Sequence, residues 1–189
     1  MTLKPNKLVL IILVWTIICV GPMARGEPPV SREYALKAAF LFNFAKFVEW
    51  PKKAFLDEST PIVFCVLGED PFGTALDPVK GRTVRGRKTV IRRSVKPDEL
   101  TTCHICFVSK SEEEHLPGIL EEVRDWHALT VSDVEGFAEL GGVIGLVTVE
   151  DGIDLEINLE AADRAGLTVS SRLLKLAKII RGDTGRKEN

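Results

Sequence analysis

Apolar positions recur at intervals of three and four between Leu36 and Phe47, through Ala39, Phe40 and Phe44 with Asn43 in the same row. SREYALKAAFLFNFAKFVEW at 31–50 therefore predicts a helix with one broad apolar face, Ser31 as its N-cap and Pro51 as its stop. The period then shortens. PIVFCVLG at 61–68 is a continuous, β-branched run of strand length closed by Gly68. Asp70-Pro71 opens a short helix through Leu76, RTVRGRKTVIRRSV at 82–95 reads as strand interrupted at Gly86, and CHICFVS at 103–109 is another apolar run. Residues 111–126 predict a helix that bends at Pro117-Gly118 or starts at Leu116. ALTVS, VIGLVTV and IDLEINL are further strands, the last two joined by the tight-turn signal Glu150-Asp151-Gly152. Asn158 caps LEAADRA, which Gly166 stops, and Ser170 or Ser171 caps a last helix, RLLKLAKII, with Leu173, Leu176, Ala177 and Ile180 as its buried stripe.

Strands alternating with helices predict an α/β fold: a single layered domain with a mainly parallel sheet of about five or six strands, an antiparallel hairpin edge, and helices on both faces. The first residues stand apart from it. Lys4 and Lys7 precede thirteen uncharged residues, Leu8 to Val20, and then Gly21-Pro22. A bilayer span needs about 20 apolar residues, whereas thirteen suit a secretory signal. Ala24-Arg25-Gly26 puts small residues at the minus-three and minus-one positions, so residues 1–26 are expected to be removed. A lipoprotein reading through Cys19 fits less well, with Ile18 where Gly, Ala or Ser is wanted. The domain is then 27–182, followed by a disordered polar tail at 183–189. No later run of 18 apolar residues follows, so the cleaved chain is expected to be soluble.

Cleavage removes Lys4, Lys7 and Arg25 from the 25 basic residues and none of the 27 acidic ones, leaving a net charge of −5. That excludes a general nucleic-acid binder. Against this background Lys80, Arg82, Arg85, Arg87, Lys88, Arg92, Arg93 and Lys96 fall between Pro78 and Pro97 without an acid among them. Such a run can draw an anionic partner. It can equally be the solvated face of a strand pair, with charge discouraging edge-to-edge association.

Export also places the thiols in an oxidising compartment, where disulfides outlast zinc thiolates. The C-x-x-C of CHIC lies in a strand-like run, not at a helix N-terminus where a redox thiol is activated. Residues three apart on a strand face opposite ways, which makes a Cys103–Cys106 bridge poor. His115 and His127 are remote in sequence and there is no second C-x-x-C, so a metal site is not expected. Cys65 can instead bridge across strands to Cys103 or to Cys106, closing a loop of roughly 40 residues for about 2–4 kcal/mol. GGVIG at 141–145 precedes a strand and does not follow one, so its glycines read as turn residues and not as a phosphate cradle. No serine-hydrolase elbow, zinc-protease helix motif or P-loop occurs, and no cofactor is implied. Asp133, Glu156 and Asn158 are polar residues near strand ends, where α/β sheets place ligands, although capping and surface roles are the ordinary ones.

Long blocks of the chain carry a resemblance. YALKAAFLFNFAKFVEWP at 34–51, FCVLGEDPFG at 64–73, GRTVRGR at 81–87, CHICFVS at 103–109, LTVSDVEGFAELGGVIGLV at 129–147 and DLEINLEAADRAGLTVSSRLLKLAKII at 154–180 together resemble the YfiR family. The resemblance implies a non-catalytic periplasmic signalling protein of a Gram-negative bacterium. Its partner would be a membrane sensor protein, the periplasmic domain of a diguanylate cyclase held inactive to lower cyclic-di-GMP and biofilm formation. It favours the Cys65–Cys103 pairing and leaves Cys106 as a buried spare. No second cysteine pair stands near 138–145, which departs from members that have one. The partner surface is expected at Phe47, Trp50 and Pro51, together with Glu156 and Asn158. The alternative is a small-ligand sensor with its pocket near Trp50 and Glu156, and a homodimer is also open to the chain.

Overall fold

Ile62–Leu67, β2, is buried at all six positions, as a strand covered on both faces must be. The computed structural model describes residues 31–150 and 152–181. The expected signal segment 1–26 and tail 183–189 lie outside the described residues. In chain order the elements are α1 (Arg32–Phe47), β1 (Val48–Glu49), β2, β3 (Thr83–Val84), β4 (Arg87–Val95), β5 (Ile105–Val108), α2 (Leu116–Val123), β6 (Leu129–Ser132), β7 (Ile144–Val149), β8 (Gly152–Asn158), α3 (Leu159–Arg164), β9 (Thr168–Val169), α4 (Ser171–Leu174) and β10 (Ala177–Ile180).

Eight strands form one sheet in the order β10-β8-β7-β6-β5-β2-β4-β3, and β1 pairs with β9 separately. The run β4-β2-β5-β6-β7 is parallel, while β7-β8 and β3-β4 are antiparallel. The fold is thus α/β with a mainly parallel sheet, wider than the sequence pattern predicts. Alternation along the strands separates two layers. Ile62, Phe64, Val66, Ile105, Phe107, Leu129 and Val131 pack with Leu41 and Phe44 of α1 and with α3. Val63, Cys65, Leu67, Cys106 and Val108 pack with Leu116, Ile119, Leu120 and Val123 of α2.

Several predicted elements are corrected. α1 ends at Phe47 and not at Trp50, because Val48 and Glu49 pair with Val169 and Thr168. Its buried residues are Lys37, Ala38, Leu41, Phe44 and Ala45, about one position round from the expected row, and Leu36 is 42% exposed. The rotation follows from Lys37, whose ammonium pairs with buried Asp133 and so goes inward. The expected C-terminal helix stops at Leu174, and Ala177–Ile180 lies parallel to β8 with Ala177 opposite Leu155. The open edge of β8 has unpaired peptide groups that this β-branched segment satisfies, whereas a helix there would leave them unpaired. Leu176, expected in a buried stripe, is 73% exposed.

Other predicted boundaries hold with a change of detail. The helix expected from Asp70 is a 3-10 turn over Gly73–Val79. The α-helix of the 111–126 segment starts at Leu116, behind a 3-10 turn over Lys110–His115. Gly86 breaks the 82–95 strand in two: Arg85 and Gly86 both have positive φ and make the two-residue turn between β3 and β4. At the far end of β4, Cys65 faces Arg92 while Leu67 faces Val95, a bulge accommodated by Ser94 at φ 51°.

Candidate functional site

The loops before β2, β5 and β6 meet at one rim of the sheet, at the amino ends of the parallel strands. Trp50 enters it directly after β1, with its Nε1–H donating to the carbonyl of His104 at 3.1 Å. The 3-10 turn Lys52–Ala54 then brings Phe55 flat against the His104 ring, centroids 4.6 Å apart. Over the outer face of Phe55 lies the Arg87 guanidinium, 3.8 Å from the ring centroid. That guanidinium also donates to the carbonyls of Asp57, Glu58 and Thr60 at 2.7, 3.0 and 2.8 Å, fixing the loop from its interior side.

His104 anchors the stack. Its Nδ1 accepts from the Val63 N–H at 3.2 Å, so Nε2 carries the proton and donates to the Ala54 carbonyl at 3.1 Å. Burial holds its pKa below the ordinary value, with nearby Arg87 adding to the shift. A neutral, doubly hydrogen-bonded imidazole in this position is a structural pin.

On this rigid base stands Leu56, 98% exposed. Cavities open on either side of it. One, about 460 Å3, is lined by Glu49, Trp50, Phe55, Arg85 and Arg87. The other, about 540 Å3, is lined by Pro61, Arg92, Cys103, His104, Trp126 and His127. A leucine held out into solvent between two aromatic-lined hollows is an anchor arrangement for a protein surface, since aromatic, apolar and arginine side chains dominate the centre of interfaces.

The three cysteines among the described residues sit just behind this rim. Cys65 is bonded to Cys103, Cα–Cα 5.9 Å. Cys106 is a buried free thiol, and burial pushes its pKa up to about 12. Cys103 does not lie in β5 as expected: it ends the 3-10 turn Pro97–Thr102, so it shares a layer with Cys106 and does not face away from it. Cys106 is the register partner of Cys65 on the neighbouring strand.

The structure divides the other expected site residues. Phe47 is half-buried on the α1 side of the core, while Trp50 and Pro51 are half-buried at the rim. Glu156 and Asn158 lie elsewhere. Glu156 faces Gly145 at the start of β7, level with the carboxyl end of β6, where it pairs with Lys178 at 2.9 Å and lines a different cavity. Asn158 is buried, accepts from the Ala161 N–H at 2.9 Å as the cap of α3 and donates to the Ala138 carbonyl. A pocket shared by Trp50 and Glu156 is therefore not assembled. The basic run is also dispersed. Arg85 pairs with Glu49, Arg93 with Asp70 and Asp77, and Arg92 bonds Thr102. Arg82 lies over Phe42, and Lys88 is exposed. Alternation along β4 sends neighbouring members of the run to opposite faces.

At the carboxyl ends stands a buried charge cluster. Lys37 pairs with Asp133 and Glu33, and the Tyr34 hydroxyl donates to Asp133 Oδ2 at 2.9 Å. The bond from Lys37, and after it one from Thr148 at 2.8 Å, holds the Glu33 carboxyl below the usual range, while burial raises the Tyr34 phenol. The cluster ties α1 to the loop after β6 and to β7. Sequence reasoning missed Lys37, Leu56, Trp126 and the role of His104. Only Lys37 had a signal: Tyr34, Ala38, Leu41, Ala45 and Val48 form a second row at the same spacing, with Lys37 beside it.

The match to known proteins bears on this arrangement directly. The model of the YfiR/HmsC-like family matches residues 34–178. The chain belongs to that family. The family is periplasmic and regulatory in character and not catalytic, and the matched span takes in both ends of the sheet, the rim loops and all three described cysteines. Among solved structures, a conserved domain protein from Vibrio cholerae O1 biovar El Tor str. N16961 is similar at 15% identity with a TM-score of 0.45, over 62% of this chain. The chain spans about half of that protein, 54%, and at this score the likeness carries no argument. No helix among the described residues is long and apolar enough to cross a membrane.

Proposed function

We propose that the domain is a periplasmic regulator that binds the sensing domain of an inner-membrane diguanylate cyclase and holds the cyclase inactive, lowering cyclic-di-GMP. Membership of the YfiR/HmsC-like family carries this reading. The rim supports the place of contact: Leu56, Trp50 and Trp126 offer apolar area on a base made rigid by the Phe55–His104–Arg87 stack. Repression of this kind requires tighter binding to the inactive state of the partner. Equal affinity for both states shifts nothing, and moving a partner from 1:99 to 99:1 takes about 10⁴-fold preference.

The test is direct binding between the purified domain and tagged periplasmic domains of inner-membrane cyclases. A stable complex is expected, together with lower cyclic-di-GMP when both are expressed. Leu56→Asp, at a position 98% exposed, should leave thermal stability unchanged and weaken the complex at least tenfold, about 1.4 kcal/mol. Absence of a complex with any inner-membrane sensing domain would overturn the proposal. Undiminished binding by Leu56→Asp would move the contact away from the rim.

A further inference from the structure

We propose that the three cysteines form an internal exchange switch, in which Cys106 displaces Cys103 from its bond with Cys65. The Cys106 thiol loses its proton and its sulfur attacks Cys65 Sγ. The Cys65–Cys106 bond forms as the Cys65–Cys103 bond breaks, and Cys103 leaves as a thiolate that takes up a proton. The count of disulfides and thiols is unchanged, so no outside oxidant or reductant is consumed.

The geometry behind this is the register of the sheet. Cys65 and Cys106 stand opposite one another on adjacent parallel strands. Neighbouring strands run about 4.8 Å apart, inside the roughly 4.4–6.8 Å that a disulfide accepts between Cα atoms. The existing partner is at 5.9 Å, so two partners for Cys65 lie within bonding reach of one backbone. Alternation turns both strand cysteines toward α2, and Cys103 joins them in the same buried layer with Val63, Leu100 and Val108. Two different elements thus compete for one sulfur: a strand of the sheet, and the end of the Pro97–Thr102 turn.

The two bond isomers differ in what they hold and what they show. With Cys65–Cys103 the rim turn is tied to the central strand and the spare thiol is sealed in the core. With Cys65–Cys106 the crosslink lies wholly within the sheet, the turn loses its covalent anchor, and the free thiol is Cys103, which lines the 540 Å3 cavity beside Trp126 and His104. Burial of Cys106 disfavours its thiolate and makes the exchange slow in the undisturbed fold. Loosening of the rim speeds it.

The isomers are distinguished by peptide mapping of the exported, oxidised protein without reduction. Acid quenching followed by maleimide labelling in denaturant should mark Cys106 and return a Cys65–Cys103 linkage. Prolonged native incubation with maleimide should instead mark Cys103 and return Cys65–Cys106, because each released Cys103 is trapped at the cavity wall, and Cys106→Ser should take no label. Persistence of the Cys65–Cys103 linkage without label on Cys103 overturns the proposal. As an independent check, Cys103→Ala, oxidised and purified, should contain a Cys65–Cys106 bond and no free thiol. Two free thiols in that variant overturn it equally, and where the variant does not fold the wild-type map decides. Neither readout involves a partner, so the result stands apart from the proposed function.

Discussion

Lys37 carries its charge where the packing of α1 demands an apolar residue, and it does so because Asp133, Glu33 and Tyr34 surround it. A buried pair of this kind contributes little net stability, yet removing one member leaves the other charge uncompensated in the core. Lys37→Ala is expected to cost about 3–5 kcal/mol in urea unfolding, whereas the double change Lys37→Met with Asp133→Leu should recover most of that loss. Equal losses in the single and double variants would show that the cost is packing and not charge. His104 makes a second residue-scale prediction. Its folded pKa lies below its unfolded value of about 6.5, so the unfolded chain binds the extra proton. Stability is therefore complete above pH 6.5 and falls as pH drops below it, with a slope of up to about 1.4 kcal/mol per pH unit. Unfolding free energies at pH 7.5 and 5.5 should separate for the wild type and converge for His104→Gln.

At the scale of elements, the parts legible in the sequence are those where local pattern and tertiary demand agree. β2, β5, β6 and the β7–β8 pair are continuous apolar runs or a run flanking an Asp-Gly signal, and the caps at Ser31, Asn158 and Ser170 sit where their side chains accept from Tyr34, Ala161 and Leu173. The pattern failed where partners distant in sequence decide. α1 turned toward Asp133, 96 residues from Lys37, and RLLKLAKII gave up its second half to the open edge of β8. The rim was half legible. Trp50 and Pro51 could be named from the helix stop, but nothing local tells that Leu56 is held outward, since its support comes from Arg87 and His104. Loop closure at the other end of the sheet gives a prediction. Gly68 has φ +83°, and a Cβ there would lie 2.4 Å from Ser111 Oγ. Gly68→Ala should cost roughly 1–3 kcal/mol through combined strain and crowding. A neutral outcome in thermal unfolding would mean that the turn over Lys110–His115 yields freely.

For the whole molecule, the decisive constraint is the single bond that ties the rim to the centre of the sheet. Cys65 and Cys103 are 38 residues apart, and the span between them contains β3, β4 and the turn that walls the larger cavity. Closing a loop of that length removes about 4 kcal/mol of chain entropy from the unfolded state at 25 °C. A single domain is commonly stable by only about 5–15 kcal/mol, so loss of the crosslink is a large fraction of the total. Reduction of the wild type should accordingly lower the unfolding free energy by about 3–4 kcal/mol. Cys65→Ala combined with Cys106→Ser, which leaves Cys103 as the one cysteine among the described residues, should match that loss and should not respond to reductant, while Cys106→Ser alone keeps the bond and its response. If reduction shifts the wild type by less than about 1 kcal/mol, the unfolded chain is already compact across this span, and the rim owes its order to the His104 stack alone.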